Sequence, residues 1–393
     1  MKKNKKIKIL FLDHTPFIGG AQISLIEHLK KLDRQRFEPL IGCTLKAQAL
    51  GLILRYEQLG FRYSILSIDR LKFWRPAALV CLWRNIIALR NLINTEQVDI
   101  IFANTIRTAI VSSLAAIISK VKVIWYLQDY TFPRRLYKLL RFIPAKILYV
   151  SHSVAEFYQK NLQSKDEVIH IWRNFYEQAE QVSDTMRETK RREWGVEANT
   201  ILVGFIGRLV EWKGPQVLLT AMINLIENGV TDIKAVFIGT GAGQETSNES
   251  QLKKLIQAKR LEKYVLFTGF QSDISISMRA LDIFCLTSVE PEPFSSVVIE
   301  AMMSKVPVIG TDIGGTPEIL KNNQTGLLVK PDQADNLAEA ITTLAKNQAL
   351  RQRVANQAFD VVMKYNTGES ASRRLEKIYE QLCKENYDGS DHN

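Results

Sequence analysis

The sequence has few of the residues that build disulfide frameworks or zinc sites. Its 393 residues include 4 cysteines and 5 histidines. The cysteines form no Cys-x-x-Cys pair, and no histidines have the spacing of a His-Glu-x-x-His motif. We therefore expect reduced thiols, as in the cytoplasm, and neither a zinc enzyme nor a disulfide-stapled domain.

Long hydrophobic runs are also absent. The longest apolar stretch, Ile110–Ile118, is interrupted by Ser112 and Ser113 and falls far short of the roughly 20 residues that span a bilayer. The basic start Met1–Lys6 leads into an apolar run that already ends at Asp13, which is too short for a signal peptide. We expect a cytoplasmic protein, with association at the inner face of the cytoplasmic membrane as an open alternative.

Strand and helix patterns alternate in both halves of the chain, which predicts the α/β class with parallel sheets. The length suits two or three domains, and a hydrophobic content of 46% suffices for sizeable cores. A polar, charge-rich stretch separates the halves. We predict domains over residues 1–175 and 199–365, a linker over 176–198, and a terminal amphipathic helix with its tail over 366–393. The predicted strands are Ile7–Leu12, Pro39–Cys43, Tyr63–Ile68, Ile100–Ala103, Val121–Leu127, Ile147–Val150, Leu202–Ile206, Ala235–Ile238, Val265–Thr268, Ile283–Leu286, Pro307–Gly310 and Gly326–Val329.

Basic residues are concentrated in the first half. Residues 1–173 hold 28 Lys and Arg against 12 Asp and Glu, a net charge of +16, whereas the remainder holds 24 against 29, a net charge of −5. This asymmetry indicates an anionic partner for the first half. No zinc-finger spacing, homeodomain-like helix or RNP-type aromatic strand occurs, so we predict no nucleic-acid partner. An anionic membrane or a lipid phosphate is favoured.

Two basic segments support that preference. In residues 131–143, Arg134, Lys138 and Arg141 fall on one helical face and the aliphatic residues largely on another. Residues 70–84 add two tryptophans, each next to an arginine. Short basic amphipathic helices lie in membrane interfaces, where each cation adds about 1 kcal/mol near anionic lipid. A core helix with a solvated basic face has the same pattern, so both interpretations stay open.

The most informative motif spans residues 292–300. Glu292 and Glu300 frame a Pro-Phe-Ser-Ser turn that leads into an apolar helix. The N-terminus of such a helix offers free N–H groups to an anion. Carboxylates accept hydrogen bonds in pairs and suit the vicinal hydroxyls of a sugar or ribose. A phosphate at the amides with hydroxyls on either side describes a nucleotide-sugar; the alternative is a surface acid and an ordinary helical glutamate.

A second phosphate-facing loop is predicted upstream. Residues 201–207 are typical of a short buried strand that ends in Gly207, and a helix begins near Pro215. Between them, Arg208 and Lys213 would supply two positive charges for a diphosphate, unless they are ordinary solvated cations. Both motifs follow strands, and open α/β sheets bind ligands at the carboxyl ends of their strands.

Four motifs in this order resemble group 1 (family 4) retaining glycosyltransferases. They are Gly19-Gly20-Ala21-Gln22, Gly207-Arg208 with Lys213-Gly214, the run from Glu292 to Glu300, and the run from Gly310 to Glu318. The resemblance implies the GT-B fold, which has two Rossmann-like domains with parallel sheets facing across a cleft and a C-terminal helix that crosses back to the N-terminal domain. It also implies metal-independent transfer of a hexosyl group, with retention, from a UDP- or GDP-sugar to a glycan or lipid-linked glycan in cell-surface polysaccharide or glycolipid synthesis. No further cofactor is implied, and no Asp-x-Asp motif for a divalent ion occurs.

The resemblance also implies roles for individual residues. Arg208, Lys213 and Glu292 would be catalytic, and Glu292 would hold hydroxyls of the transferred sugar. Glu300 would hold the ribose. The remaining donor contacts would come from small or backbone groups: Gly19, Gly20, Gly207, Phe294, Ser295, Ser296 and Val297.

The sequence departs from the family pattern at Gln128. Similar enzymes often have a histidine at the end of the fifth strand, near the acceptor, whereas Gln128 can form hydrogen bonds but cannot titrate. Asp129 is the candidate that orients the acceptor, and helix capping is its alternative role. Residues 239–243 are glycine-rich but lack the dinucleotide spacing, so we predict a loop that borders the base rather than an NAD site. A sugar-nucleotide epimerase and a catalytically silent nucleotide-sugar-binding scaffold remain alternatives.

Overall fold

The computed structural model describes residues 5–15, 19–44, 52–66, 77–171, 175–241, 243, 248–365 and 368–388. The chain divides into two units: Met1–Arg173 with Gly368–Asn393, and Asn174–Thr367. Each unit has a parallel sheet with helices, which is the architecture expected for a sequence in which strands and helices alternate. The basic, tryptophan-containing residues 70–76 lie outside the described part.

The first unit contains a seven-stranded sheet in the order β3-β2-β1-β4-β5-β6-β7. Its central strands are continuous apolar runs because helices can cover both faces of a parallel sheet. The strands β1 to β7 are Ile7–Leu12, Phe37–Cys43, Arg62–Ile65, Ile100–Ala103, Lys122–Leu127, Lys146–Tyr149 and Asp166–Val168. The helices α1 to α6 are Gly20–Lys31, Leu52–Gln58, Ala77–Glu96, Ile106–Ser119, Arg134–Leu140 and His152–Tyr158, and the terminal helix α16 is Gly368–Asp388.

The second unit contains a six-stranded sheet in the order β10-β9-β8-β11-β12-β13. The strands β8 to β13 are Ile201–Ile206, Ile233–Ile238, Val265–Gly269, Ile283–Leu286, Val308–Thr311 and Leu327–Val329. The helices α7 to α15 are Tyr176–Glu180, Asp184–Glu193, Pro215–Glu227, Glu249–Lys259, Ser275–Ala280, Ser296–Met303, Thr316–Ile319, Ala334–Lys346 and Gln348–Tyr365. Both sheets therefore have the Rossmann strand order, in which the third, second, first and fourth strands are neighbours.

The terminal helix α16 packs within the first unit. His28 is fully buried and lies 3.0 Å from the Ser372 hydroxyl and 2.9 Å from the Tyr379 hydroxyl. The exposed Arg36 donates to the buried Glu376 and to Glu380, each over 2.6 Å. These contacts agree with the predicted amphipathic helix.

The prediction of a linker over residues 176–198 was wrong. These residues form α7 and α8, which belong to the second unit. Residues 176–198 have the composition of a linker because charged contacts, rather than an apolar stripe, attach α8 to the rest of the second unit. Arg187 and Arg191 donate to the Asp282 carboxylate over 3.1 and 2.8 Å, and that carboxylate precedes β11.

Two further differences arise in the first unit. Strand β7 was not predicted, because its three residues include Asp166 and Glu167 and carry no apolar pattern. The predicted amphipathic segment 131–143 is helical only over Arg134–Leu140, since Pro133 fixes the chain before the helix. In the described part of the chain, no helix is long and apolar enough to cross a membrane.

Candidate functional site

The carboxyl edge of the second sheet brings the two predicted phosphate loops together. Strands β8 and β11 are neighbours at the centre of the sheet, and the strand order reverses between them. A crevice outside the strands forms at such a switch point. Gly207 and Arg208 follow β8, and Glu292 precedes α12 in the connection that follows β11.

Both cations of the loop after β8 lie near one aromatic ring. The Arg208 guanidinium lies 5.2 Å from the centroid of the Trp212 ring, and the Lys213 ammonium lies 4.5 Å from it. Cations are attracted to the faces of aromatic rings at these distances. Arg208 is exposed, whereas Lys213 is largely buried. Trp212 therefore holds two positive charges on one short turn.

Gly214 fixes the position of Lys213 against the end of β11. Its backbone φ is +69°, and a Cβ there would collide with the Thr287 carbonyl oxygen. The Thr287 hydroxyl donates to the Gly214 carbonyl over 2.8 Å and lies 3.2 Å from the Lys213 carbonyl. The Val289 N–H donates to the Trp212 carbonyl over 2.9 Å. Only glycine allows both this backbone conformation and this close approach.

Lys213 and Glu292 form an ion pair at the centre of the site. The Lys213 ammonium contacts the Glu292 carboxylate, which is 3% exposed and also lies 3.4 Å from the Ser288 hydroxyl. Burial, followed by the Arg208 charge, lowers the pKa of Lys213 to about 7. The contact with Glu292 opposes both effects, because a nearby carboxylate favours the charged lysine.

The N-terminus of α12 is held by the glycine loop that follows β12. The Gly315 N–H donates to the Glu292 carbonyl over 2.7 Å. Gly314 has φ +63°, and a Cβ there would lie 2.5 Å from the Glu292 carbonyl oxygen. Ser295 is buried, and its hydroxyl has no hydrogen-bond partner among the described residues.

Other predicted residues lie just before the same helix or along it. Phe294 and Ser296 are half-buried at its start, Val297 follows, and Glu300 is 8% exposed one turn in. The structure thus places Gly207, Arg208, Lys213 and residues 292–300 at one sheet edge.

A polar cluster occupies the carboxyl edge of the first sheet. Asp13 is fully buried after β1 and accepts hydrogen bonds from Gln22 Nε2 over 2.9 Å and Asn104 Nδ2 over 2.8 Å. Asn104 Oδ1 in turn accepts from Gln128 Nε2 over 2.7 Å. The Gly19 N–H donates to Gln22 Oε1 over 3.1 Å, which ties the glycine pair to this cluster.

His14 and Asp129 border the cluster. His14 Nδ1 lies 2.7 Å from the Thr105 hydroxyl, and burial, followed by the Arg107 charge, lowers the pKa of His14. Asp129 Oδ1 accepts from the Thr131 N–H over 2.8 Å and from its hydroxyl over 2.7 Å, so it caps the turn before α5 rather than the helix itself.

Several residues of this edge were not predicted as site residues. Asp13, His14 and Asn104 lie outside the sequence motifs described above, and Gln22 occurs only as part of the glycine motif. One signal could have found them: each of Asp13, Asn104 and Gln128 is the first polar residue after a buried strand. The carboxyl ends of parallel strands meet at one edge, so such residues are expected to be neighbours.

Two family models match successive parts of the chain. The model for glycosyl transferases group 1 matches residues 186–361, and the model for glycosyltransferase family 4 matches residues 18–179. The first match contains Arg208, Lys213 and residues 292–300. The second contains the glycine pair and Gln128.

Individual proteins agree with these matches. A curated relative, D-inositol 3-phosphate glycosyltransferase of Corynebacterium jeikeium, is 32% identical over 51% of this chain and 48% of its own length. The chain therefore spans about half the length of the curated relatives it matches. A glycosyltransferase from Rickettsia africae superposes with a TM-score of 0.85 at 23% identity, covering 96% of this chain and 98% of its own. Anabaena HepE in complex with UDP-glucose superposes with a TM-score of 0.79 at 24% identity, over 95% of this chain and all of its own. These two likenesses show the GT-B fold.

Proposed function

We propose, from the premise that this chain belongs to the group 1 (family 4) glycosyltransferases, that it moves a hexosyl group from a UDP- or GDP-sugar to a hydroxyl of a glycan or lipid-linked glycan. The observation that carries the proposal is the buried ion pair of Lys213 and Glu292 beside Arg208. It lies at a switch point of a Rossmann-like sheet, next to the N-terminus of α12. A diphosphate with sugar hydroxyls on either side has the chemistry that this site recognises.

Charge supports a role in leaving-group stabilisation. When the bond between the anomeric carbon and the diphosphate oxygen breaks, negative charge accumulates on that oxygen. Arg208 and Lys213 supply two fixed cations there, and prearranged charges of this kind lower the barrier without reorganisation. The α12 amides would bind the same anion, while Glu292 receives hydroxyls of the sugar and Glu300 those of the ribose.

The acceptor step then balances without a protein base. The acceptor oxygen bonds to the anomeric carbon from the face that the diphosphate leaves, and its proton passes to the departing phosphate oxygen. The configuration is thereby retained. Because Arg208 and Lys213 neutralise the diphosphate, we propose that no metal ion is required.

We further propose that the first unit touches an anionic membrane, which would bring a lipid-linked acceptor to the enzyme in polysaccharide or glycolipid synthesis. Leu139 and Phe142 are 72% and 74% exposed, and Arg134, Arg135 and Lys138 are exposed beside them. Exposed apolar side chains flanked by cations suit a bilayer interface with anionic headgroups.

Thermal-shift binding tests the donor proposal directly. UDP, GDP, ADP and their sugars are added in buffer with EDTA, to wild type and to Lys213→Ala. One nucleotide family should raise the melting temperature, and the shift should disappear in Lys213→Ala because the diphosphate loses a cation at the site. A saturating ligand at 100 times its Kd stabilises by about 2.7 kcal/mol.

The matched control is Lys259→Ala, since Lys259 pairs with Glu227 on the surface, 2.8 Å away. It should keep the full shift. Stabilisation that survives in Lys213→Ala would place the diphosphate elsewhere, and a dependence on Mg²⁺ would refute metal independence. No shift with any nucleotide would refute the donor proposal. A shift without sugar transfer would favour a silent nucleotide-sugar-binding scaffold, and formation of an epimeric nucleotide-sugar would identify an epimerase.

Vesicle sedimentation tests the membrane proposal. The protein should bind phosphatidylcholine vesicles that contain phosphatidylglycerol and should bind less as salt rises. Phe142→Ser should reduce binding several-fold, since it removes an inserted ring. Phe270→Ser is the control, because Phe270 is 76% exposed but lies in the second unit. Equal binding by both variants, or equal binding to neutral vesicles, would contradict the proposal.

A further inference from the structure

A buried carboxylate determines the direction of a hydrogen-bond chain at the edge of the first sheet. Asp13 is 0% exposed, and its Oδ2 accepts from Gln22 Nε2 and Asn104 Nδ2. Its Oδ1 accepts from the Thr15 N–H over 2.8 Å. An ionised carboxylate accepts hydrogen bonds and donates none. Both side-chain amides must therefore turn their NH₂ groups toward Asp13.

The next link of the chain follows from the first. With its NH₂ directed at Asp13, Asn104 can offer only Oδ1 on its other side, and Gln128 Nε2 donates to that oxygen over 2.7 Å. Gln128 Nε2 also lies 3.2 Å from the Asn104 carbonyl. Both bonds use the NH₂ of Gln128. The amide oxygen of this half-buried side chain accepts no hydrogen bond from the described part of the protein.

We propose that Asp13 is a positioning residue that sets the polarity of the acceptor site. Acting through Asn104, it makes Gln128 present its oxygen, and not its NH₂, to the incoming hydroxyl. This inference rests on the proposed function and names the chemistry that Gln128 recognises: the O–H of the acceptor, which donates to Gln128 Oε1. A lone pair of the acceptor oxygen then stays free to attack the anomeric carbon. An outward NH₂ would instead bind that lone pair.

The same carboxylate has a second, separable effect. Through Gln22 it directs Gln22 Oε1 toward the Gly19 N–H, so it also holds the glycine pair that begins α1. A purely structural Asp13 would act through this branch and the Thr15 turn alone. The experiment therefore has to change the Gln128 branch and the Gln22 branch independently.

Asp13→Asn should reverse the donor and acceptor roles along this hydrogen-bond chain with almost no change in side-chain shape. In that variant the Thr15 N–H keeps the amide oxygen at the Oδ1 position, so an NH₂ replaces Oδ2. This NH₂ faces the NH₂ groups of Gln22 and Asn104, and those amides turn over. Asn104 then offers its NH₂ to Gln128, and Gln128 turns its own NH₂ outward. Release of nucleoside diphosphate from UDP-glucose and GDP-mannose is measured with methyl hexosides and with water as acceptors. We expect kcat/KM for the acceptor to fall at least about tenfold, the effect of one mismatched hydrogen bond. A change in the nucleotide thermal shift that arises from the Gln22 branch should be the same in the double variant described next, in which Gln22 stays inverted.

The double variant Asp13→Asn/Asn104→Asp restores the Gln128 branch alone. The carboxylate at position 104 accepts from the new amide at 13 and from Gln128 Nε2, so Gln128 Oε1 faces outward again. Gln22 stays inverted. Acceptor kcat/KM should recover to within a few-fold of wild type. Asn104→Asp alone places two carboxylates side by side and should be less active than the double variant.

A second measurement is independent of activity. In protein labelled with ¹⁵N-glutamine, NMR hydrogen exchange of the Gln128 NH₂ should be slow in wild type and in the double variant, and fast in Asp13→Asn. Equal exchange in all three, or a double variant as impaired as Asp13→Asn, would overturn the proposal and leave Asp13 a structural residue of the Gln22 branch. Absence of any nucleotide shift in wild type would refute the proposed function instead, and the exchange pattern would still decide the polarity of Gln128.

Discussion

Replacing Glu292 by glutamine should lower kcat/KM for the nucleotide-sugar by about 10²- to 10³-fold, the usual loss when one prearranged charged or hydrogen-bonding group is removed from a reacting centre. The side chain keeps its shape, so the 3% exposed position stays filled. Two things are lost: an acceptor for sugar hydroxyls and the partner of the Lys213 ammonium. Lys213 is then left buried next to Arg208 without its counter-charge, which is costly for a cation.

The pH dependence identifies which loss dominates. Burial and Arg208 lower the pKa of Lys213 to about 7. The protonated form binds the diphosphate, so affinity should be greatest below that pKa and fall as pH rises through it. In Glu292→Gln the carboxylate that favours the ammonium is gone, and the fall should begin at lower pH. Thermal shifts with UDP or GDP from pH 6 to 9 measure this directly.

Glu290→Gln provides the control, because Glu290 is an exposed carboxylate two residues earlier in the same loop. It should retain near wild-type kcat/KM and the wild-type pH profile. If Glu292→Gln resembled Glu290→Gln in both measurements, the ion pair would have no part in transfer. If Glu292→Gln moved only the pH profile, Glu292 would serve the lysine and leave the sugar hydroxyls to other groups.

The sequence predicted the parts of this site but not their pairing. Glu292 and Lys213 were recognised separately, one for sugar hydroxyls and one for the diphosphate, because each lies in a local motif. Their contact joins residues 79 positions apart and depends on how Thr287 packs on Gly214. Local patterns carry no information on such packing. For the same reason, the sequence did not predict the hydrogen bonds that connect Asp13 to Gln128 through Asn104. These two bonds join residues that are 91 and 24 positions apart.

The fold was more predictable because periodicity reports burial directly. Most strands of the two sheets are apolar runs that a parallel sheet buries on both faces, and most of these could be predicted within two residues of their bounds. The failures are elements held by polar contacts. Strand β7 contains two acids, and α8 is anchored through Arg187 and Arg191 on Asp282. Elements that are held in place by charged residues have the same composition as a surface loop, so composition does not distinguish the two.

Gly214→Ala should destabilise the second unit by about 2 to 5 kcal/mol and abolish nucleotide binding. An L-residue at φ +69° costs about 1–2 kcal/mol, and relief of a steric clash in a packed site costs about 1–3 kcal/mol more. The clash is with the Thr287 carbonyl, so the turn must move away from β11. Lys213 moves with it and leaves Glu292. Urea unfolding and the nucleotide thermal shift measure the two effects.

Gly229→Ala separates the cost of backbone strain from the cost of the steric clash. Gly229 has φ +84° in the turn after α9, and a Cβ there would meet no atom within 4 Å. This variant should lower the free energy of unfolding by only about 1–2 kcal/mol, the cost of a left-handed backbone for an L-residue. It should keep full nucleotide binding. If Gly214→Ala and Gly229→Ala lowered the free energy of unfolding by similar amounts, the turn at Gly214 would accommodate the added methyl group without a steric cost. Nucleotide binding that survives in Gly214→Ala would show that contact between the β8 loop and β11 is not what positions Lys213, and the ion pair with Glu292 would then have to form without it.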